Sequence, residues 1–211
     1  MSKLTRVPLF PLSGAILFPR SHLPLHIFEE RYRAMVQDAM AGTGRIAMIQ
    51  PIANIATDDT SSLYQVGCIG ELVGVEELDD GRFNIMLLGS QRFRLIAEAE
   101  RDTPYRQADI DLHAFADDDP EPLSSIQRAD VEREARRFGD ALSLAVDWDA
   151  VGRLDDEMLV NAIAQVAPFD AGAKQALLEE ATLTRRADLV VQLMQFQRLA
   201  PGGADMRQTI Q

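Results

Sequence analysis

The sequence is poor in the residues that most chemistry needs. Of 211 residues one is cysteine, Cys68, which excludes an internal disulfide and suits a reducing compartment. There are two lysines, Lys3 after Ser2 and Lys174 after Ala173, so no Gly-Lys pair exists. A phosphate-binding P-loop requires that pair, because backbone amides and one ammonium hold the phosphates together. An ATPase site of that type is excluded. No G-x-S-x-G elbow presents a serine nucleophile. No apolar run approaches the roughly 20 residues that cross a bilayer. The start, Met1-Ser-Lys-Leu-Thr-Arg-Val-Pro8, lacks the apolar core of a signal peptide. A cytoplasmic protein without membrane contact is the expectation.

Positive charge is also scarce. The net charge is -12, with 11 basic and 18 acidic side chains before residue 120 and 10 and 15 from there on. Neither half is a basic module. Nucleic-acid binding rests on phosphate neutralisation by Lys and Arg, so the expectation is no nucleic acid.

What is present divides into two kinds of pattern. The first half reads as strands. Val7-Pro-Leu-Phe-Pro-Leu12 and Ala15-Ile-Leu-Phe18 are short apolar runs broken by proline and Ser13-Gly14, and Leu23-Pro-Leu-His-Ile-Phe28 continues them. Proline donates nothing to a strand ladder, so these pieces are expected at sheet edges or strand starts. From Glu29 to Ala41 the period changes: Tyr32, Met35, Val36, Ala39 and Met40 mark one helix face, and Gly42 stops it. Strands follow at Arg45–Ile49, Val66–Val75, Arg82–Gly89, Arg92–Ala97 and Ala108–Phe115, with Asp79-Asp-Gly81 as a hairpin turn. Residues 51–63 read as a long mobile loop.

Asp117-Asp-Asp-Pro-Glu-Pro122 reads as an acidic linker, and beyond it the pattern is helical. Val131, Ala135, Phe138, Leu142 and Ala145 form one amphipathic stripe. Met158, Leu159, Ala162, Ile163 and Val166 form a second, a third helix covers 171–181, and a fourth starts at Thr182 or Thr184. The expected organisation is a β-rich part over 1–116, the linker over 117–122, a helical bundle over 123–200 and a frayed tail over 201–211.

Nothing marks a catalytic, cofactor or metal site. Gly42-Thr-Gly-Arg-Ile-Ala47 fits G-x-G-x-x-A but follows a helix and precedes a strand, the reverse of a dinucleotide site. His22 and His26 share a strand face without an evident third ligand, and Cys68 reads as a small buried hydrophobe.

Two segments together resemble the N-terminal domain family of Lon proteases. One is Val7-Pro-Leu-Phe-Pro-Leu12 with Leu17-Phe-Pro19 and Leu23-Pro-Leu-His-Ile-Phe-Glu-Glu-Arg-Tyr32. The other is Val66-Gly-Cys-Ile-Gly-Glu71 with Gly81-Arg-Phe-Asn-Ile-Met-Leu-Leu-Gly-Ser-Gln-Arg-Phe-Arg-Leu95. Lys174-Gln-Ala-Leu-Leu-Glu179 and Arg186 are similar to the family's helical half. The resemblance implies an α+β fold: an N-terminal β-rich PUA-like pseudo-barrel with one helix, followed by a C-terminal helical bundle. Lon proteases continue into an ATPase module and a Ser/Lys peptidase domain. This chain is expected to hold neither, and to act as a non-enzymatic module.

The implied function is binding of unfolded or partly folded proteins and peptides. Phe18, Pro19, Glu30 and Arg31 are the candidate contacts, because proline-broken strands leave an edge to which an extended peptide can be added. Three other readings stay open: an adaptor docking on a protease complex, an uncharacterised hydrolase, and RNA binding by analogy of fold. The apolar helical half has surface enough for a homodimer, and the same residues serve equally to pack the bundle.

Overall fold

A computed structural model of the chain describes residues 5–52, 62–100, 102–115 and 120–199. These carry six strands and six helices, an α+β protein. The core of the expected 117–122 linker, most of the 51–63 loop and the 201–211 tail lie outside the described residues. The chain forms two compact units: residues 1–119 with 170–178, and residues 120–169 with 179–211.

The first unit is a barrel. Strands β1 (Thr5–Pro11), β2 (His22–Ile27), β3 (Arg45–Ile49), β4 (Val66–Glu77), β5 (Phe83–Glu98) and β6 (Gln107–Asp111) lie in the order β2-β5-β4-β3-β1-β6. A further β5–β6 pairing closes β5, β4, β3, β1 and β6 into a ring, with β2 attached outside it. Closure removes free edges from five of the six strands over part of their length. Alternation fills the interior: Val7 and Leu9, Ala47 and Ile49, Phe93 and Leu95, Ala108 and Ile110 point inward.

Two expectations change here. The proline-bearing β1 is not a sheet edge but lies between β3 and β6. It tolerates Pro8 because Thr5–Pro8 pairs with β6 and Leu9–Pro11 pairs with β3, so no residue must serve both ladders. Ala15–Phe18 is no strand at all. It is a buried irregular segment tied down by Gln50, whose Nε2 donates to the carbonyls of Leu12 (2.6 Å) and Ala15 (2.7 Å) while its Oε1 accepts from the Gly14 amide (3.1 Å). An amide satisfied by three backbone partners replaces a strand ladder here.

The expected break at Gly89-Ser90 is also missing. β5 runs unbroken for 16 residues, pairing with β2 and β4 in its first half and with β4 and β6 in its second. Glycine is required at 89 for packing: a Cβ there would collide with the carbonyl of Phe18. A Cβ at Gly67 would likewise strike the Met48 carbonyl and the Phe93 ring.

Helix α1 (Glu30–Ala41) buries Tyr32, Met35, Val36 and Ala39 as the period requires, with Gly42 as its cap, and leaves Met40 exposed. Helix α5 (Ala171–Glu179) was expected in the helical half, yet its first eight residues cluster with the barrel. Gln175 Nε2 donates to the Val66 carbonyl at 3.0 Å and a guanidinium nitrogen of Arg92 to the Leu178 carbonyl at 2.9 Å.

The second unit contains α2 (Ser125–Ala141), the short α3 (Trp148–Val151), α4 (Asp156–Val166) and α6 (Leu183–Leu199). Ser124 and Gln127 make a reciprocal capping box at α2, Asp155 caps α4, and Thr182 accepts from the Arg185 amide at 3.3 Å to start α6. Glu134, 2% exposed, is paired with Arg198 at 2.9 Å, joining α2 to α6.

Candidate protein-binding surface

The first half of β5 and the second half of β4 leave the barrel together with β2 and form a three-stranded tongue. β2 pairs with β5 from His22↔Leu88 to Ile27↔Phe83, and among the described residues no strand flanks its other side. The β3–β4 pairing ends at Arg45↔Glu71, so from Gly74 onward β4 also has only β5 beside it. The tongue thus has two edges without strand neighbours.

Alternation sets its two faces. Ile27, Phe83, Ile85 and Leu87 are buried on one. The other carries Pro24 and His26 from β2, Asn84 and Met86 from β5, and Gly74 and Glu76 from β4. There a shallow open concavity of about 540 Å³ is lined by these residues with Leu25, Val75 and Ile85. Gly74, lacking a side chain beside Met86, keeps it open, and a register shift between Leu72 and Gly74 turns Val73 outward. Phe28, 61% exposed, follows the edge strand.

A polar row crosses one end of the concavity. Arg82 Nη1 lies 3.1 Å from His26 Nε2, and a guanidinium only donates, so that ring nitrogen accepts. His26 Nδ1 therefore carries the proton and donates to Asn84 Oδ1 at 2.8 Å; Asn84 Nδ2 donates to Glu76 Oε2 at 2.8 Å. Arg82 also holds Asp80, through Nε at 2.6 Å and its backbone amide at 3.1 Å. The Arg82 amide first, and its guanidinium after it, keep the Asp80 carboxyl below the usual range.

The four sequence candidates separate. Phe18 is fully buried and Pro19 buried, so neither offers surface to a partner; the Phe18 carbonyl accepts from Ser21 and packs on Gly89 at the root of the tongue. Glu30 is exposed and Arg31 half-buried at the start of α1, directly after Phe28. Arg31 donates to Glu29 at 2.9 Å, with its guanidinium over the Tyr32 ring. The concavity residues Pro24, Leu25, Val75 and Met86 were missed, although one signal was present. Phe83-Asn-Ile-Met-Leu-Leu88 is apolar at Met86 and Leu88, where a strand wet on one face would be polar.

His22 lies on the same exposed β2 face as His26, and Cys68 is buried. Among the described residues no three His, Cys, Asp or Glu side chains converge as metal ligands. None of their helices is long and apolar enough to cross a membrane.

The helical unit has its own apolar pocket of about 130 Å³, lined by Phe138, Trp148, Leu159, Ile163, Val166 and Met194 among others. It explains the α4 stripe. The buried α4 residues are Glu157, Leu159, Val160, Asn161 and Ala164, whereas Ala162, Ile163 and the 79% exposed Val166 line the open pocket.

A closed five-strand barrel with an attached strand and an accompanying helical unit defines the class as an α+β domain of the Lon N-terminal type. The chain belongs to the family of ATP-dependent protease La (LON) substrate-binding domains, whose family model matches residues 6–195. It is 28% identical over 180 residues to Lon protease 2 of Herpetosiphon aurantiacus, covering 82% of this chain and 22% of that protein. Identity to Lon protease 1 of Bdellovibrio bacteriovorus is 28% over 195 residues, covering 86% and 23%. The chain thus spans under a quarter of the length of these relatives. A crystal structure of a Lon N-terminal domain protein from Xanthomonas campestris matches with a TM-score of 0.68 at 20% identity, covering 91% of this chain and 98% of that one. The N-terminal domain of a Mycobacterium avium complex Lon protease matches with the same TM-score at 17% identity, over 90% and 98%.

Proposed function

We propose that this chain binds exposed, extended apolar segments of unfolded or partly folded proteins, and itself carries out no ATP hydrolysis and no peptide cleavage. The observation that carries the reading is the β2 edge beside the concavity. A segment added along this edge gains backbone hydrogen bonds, while its alternate side chains reach Pro24, Met86 and Phe28. Glu30 and Arg31 flank the entry at the start of α1, and Phe18 and Pro19 hold the root of the tongue. Family membership supports the same reading, in which the protein works in the cytoplasm with a protease as its downstream partner.

The test is a titration of a permanently unfolded, fluorescently labelled protein with the 211-residue chain. Saturable binding with a Kd of tens of micromolar or tighter, roughly -6 kcal/mol, supports the proposal. No binding in that range removes it. A folded protease recovered in a pull-down while no unfolded client binds would favour the adaptor reading instead.

A further inference from the structure

The rim of the tongue is acidic, and little of that charge is neutralised. Glu76, Glu77, Asp79 and Asp80 lie at the end of β4 and in its turn, and Glu29 and Glu30 follow Phe28 at the same end, where Ile27 and Glu77 both pair with Phe83. The nearby arginines are already engaged. Arg82 pairs with Asp80 at 2.6 Å, Arg31 with Glu29 at 2.9 Å, and Arg45 with Glu71 at 3.2 Å. Arg33 donates to the Gly81 carbonyl at 3.5 Å. Glu76 accepts only from the neutral Asn84, and among the described residues no cation is in ion-pair reach of Glu30, Glu76, Glu77 or Asp79.

Resting on the reading of the tongue as a client-binding surface, we propose that its preferred clients are apolar segments flanked by lysine or arginine. The apolar floor takes bulky side chains, and the uncompensated carboxylates gathered at the turn end of the edge meet cations at whichever end of the segment lies there. Acid-flanked segments of equal hydrophobicity are repelled by the same groups and by a chain of net charge -12. The preference is electrostatic and lies at a solvated rim, so it acts through screened pairs and fades with salt.

Three fluorescein-labelled peptides with one apolar core, Leu-Val-Phe-Val-Leu, and flanks of two lysines, two serines or two glutamates at each end separate the possibilities. With the full chain at low ionic strength, the lysine-flanked peptide is expected to bind about fivefold tighter than the serine-flanked one, and the glutamate-flanked peptide correspondingly weaker. At about 1 M salt, where the screening length falls to roughly 3 Å, the three affinities should converge. The double variant Glu77→Gln/Asp79→Asn should shrink the lysine advantage at low salt. Equal affinities of the three peptides, or a lysine advantage that the double variant leaves whole, would overturn the charge preference and leave apolar client binding standing. Failure of all three peptides to bind would remove the client-binding reading itself, and this inference with it.

Discussion

The guanidinium of Arg92 donates to the Leu178 carbonyl at 2.9 Å, tying the middle of β5 to the last turn of α5. Arg92 is 2% exposed, and its planar group also lies 4.3 Å from the centre of the Phe115 ring. One side chain thus satisfies a helix-end carbonyl and packs under an aromatic ring, which gives the Arg-Phe-Arg run following Gly89 a structural purpose.

From that geometry Arg92→Met should lower stability by about 3 kcal/mol, because Leu178 loses its donor in a buried setting and the ring contact is gone. Arg92→Lys should recover only part, since an ammonium cannot both stack and reach. Urea unfolding followed by circular dichroism measures both. A loss under about 0.5 kcal/mol, the range of an ordinary surface change, would refute the structural role.

Gln50 offers a sharper test, because its amide both donates and accepts. Gln50→Glu cannot donate to Leu12 and Ala15 when ionised, and it sets a charge against two carbonyls. A loss of about 2–4 kcal/mol at pH 7 is expected. The folded state should raise the pKa of the new carboxyl, so the loss should shrink as pH falls through that value and the proton returns. Stability measured at pH 7 and pH 5 decides it, and a pH-independent loss equal to that of Gln50→Ala would argue against the backbone clamp.

Tyr105 titrates at the other end of the scale. Its hydroxyl donates to Asp38 Oδ2 at 2.6 Å; burial first and that hydrogen bond second push its pKa well above that of an ordinary tyrosine. A raised folded pKa means the contribution is intact below pH 10 and is lost as pH climbs above it, because the unfolded chain then releases a proton that the folded chain retains. Stability should therefore decline above about pH 10, and Tyr105→Phe should flatten the decline while lowering stability at neutral pH. Absorbance titration of the three tyrosines should show one lagging group, absent in the variant.

Much of this was legible in the sequence, for identifiable reasons. Period-3.6 patterning located α1 and α2, and Asp79-Asp-Gly81 set the β4–β5 turn, with Gly81 at φ 76°. What failed depended on partners distant in the chain. Gly89 reads as a break until Phe18 is seen packed against it, and Pro8 reads as an edge residue until β1 is seen changing partners beside it. Helix α5 was assigned to the bundle because the sequence cannot show that Gln175 reaches Val66, 109 residues away. For the surface, proline at 24 correctly marked an edge strand. Phe18 and Pro19 are core instead, because an apolar run looks the same whether a sheet or solvent lies beyond it.

The edge mechanism makes a last prediction that side-chain contacts alone do not. If a client lies along β2 as an added strand, its affinity depends on its own amides as well as its side chains. Methylating two alternate backbone nitrogens of a bound peptide on the side facing β2 should weaken binding roughly tenfold, at about 0.5–1.5 kcal/mol for each hydrogen bond. Methylating the intervening nitrogens, which face away, should change it little. Phe28→Ser should weaken both peptides equally without lowering stability, since the ring is already exposed. Equal tolerance of the two methylation patterns would mean that clients reach the concavity through side chains only, and strand addition would have to be given up.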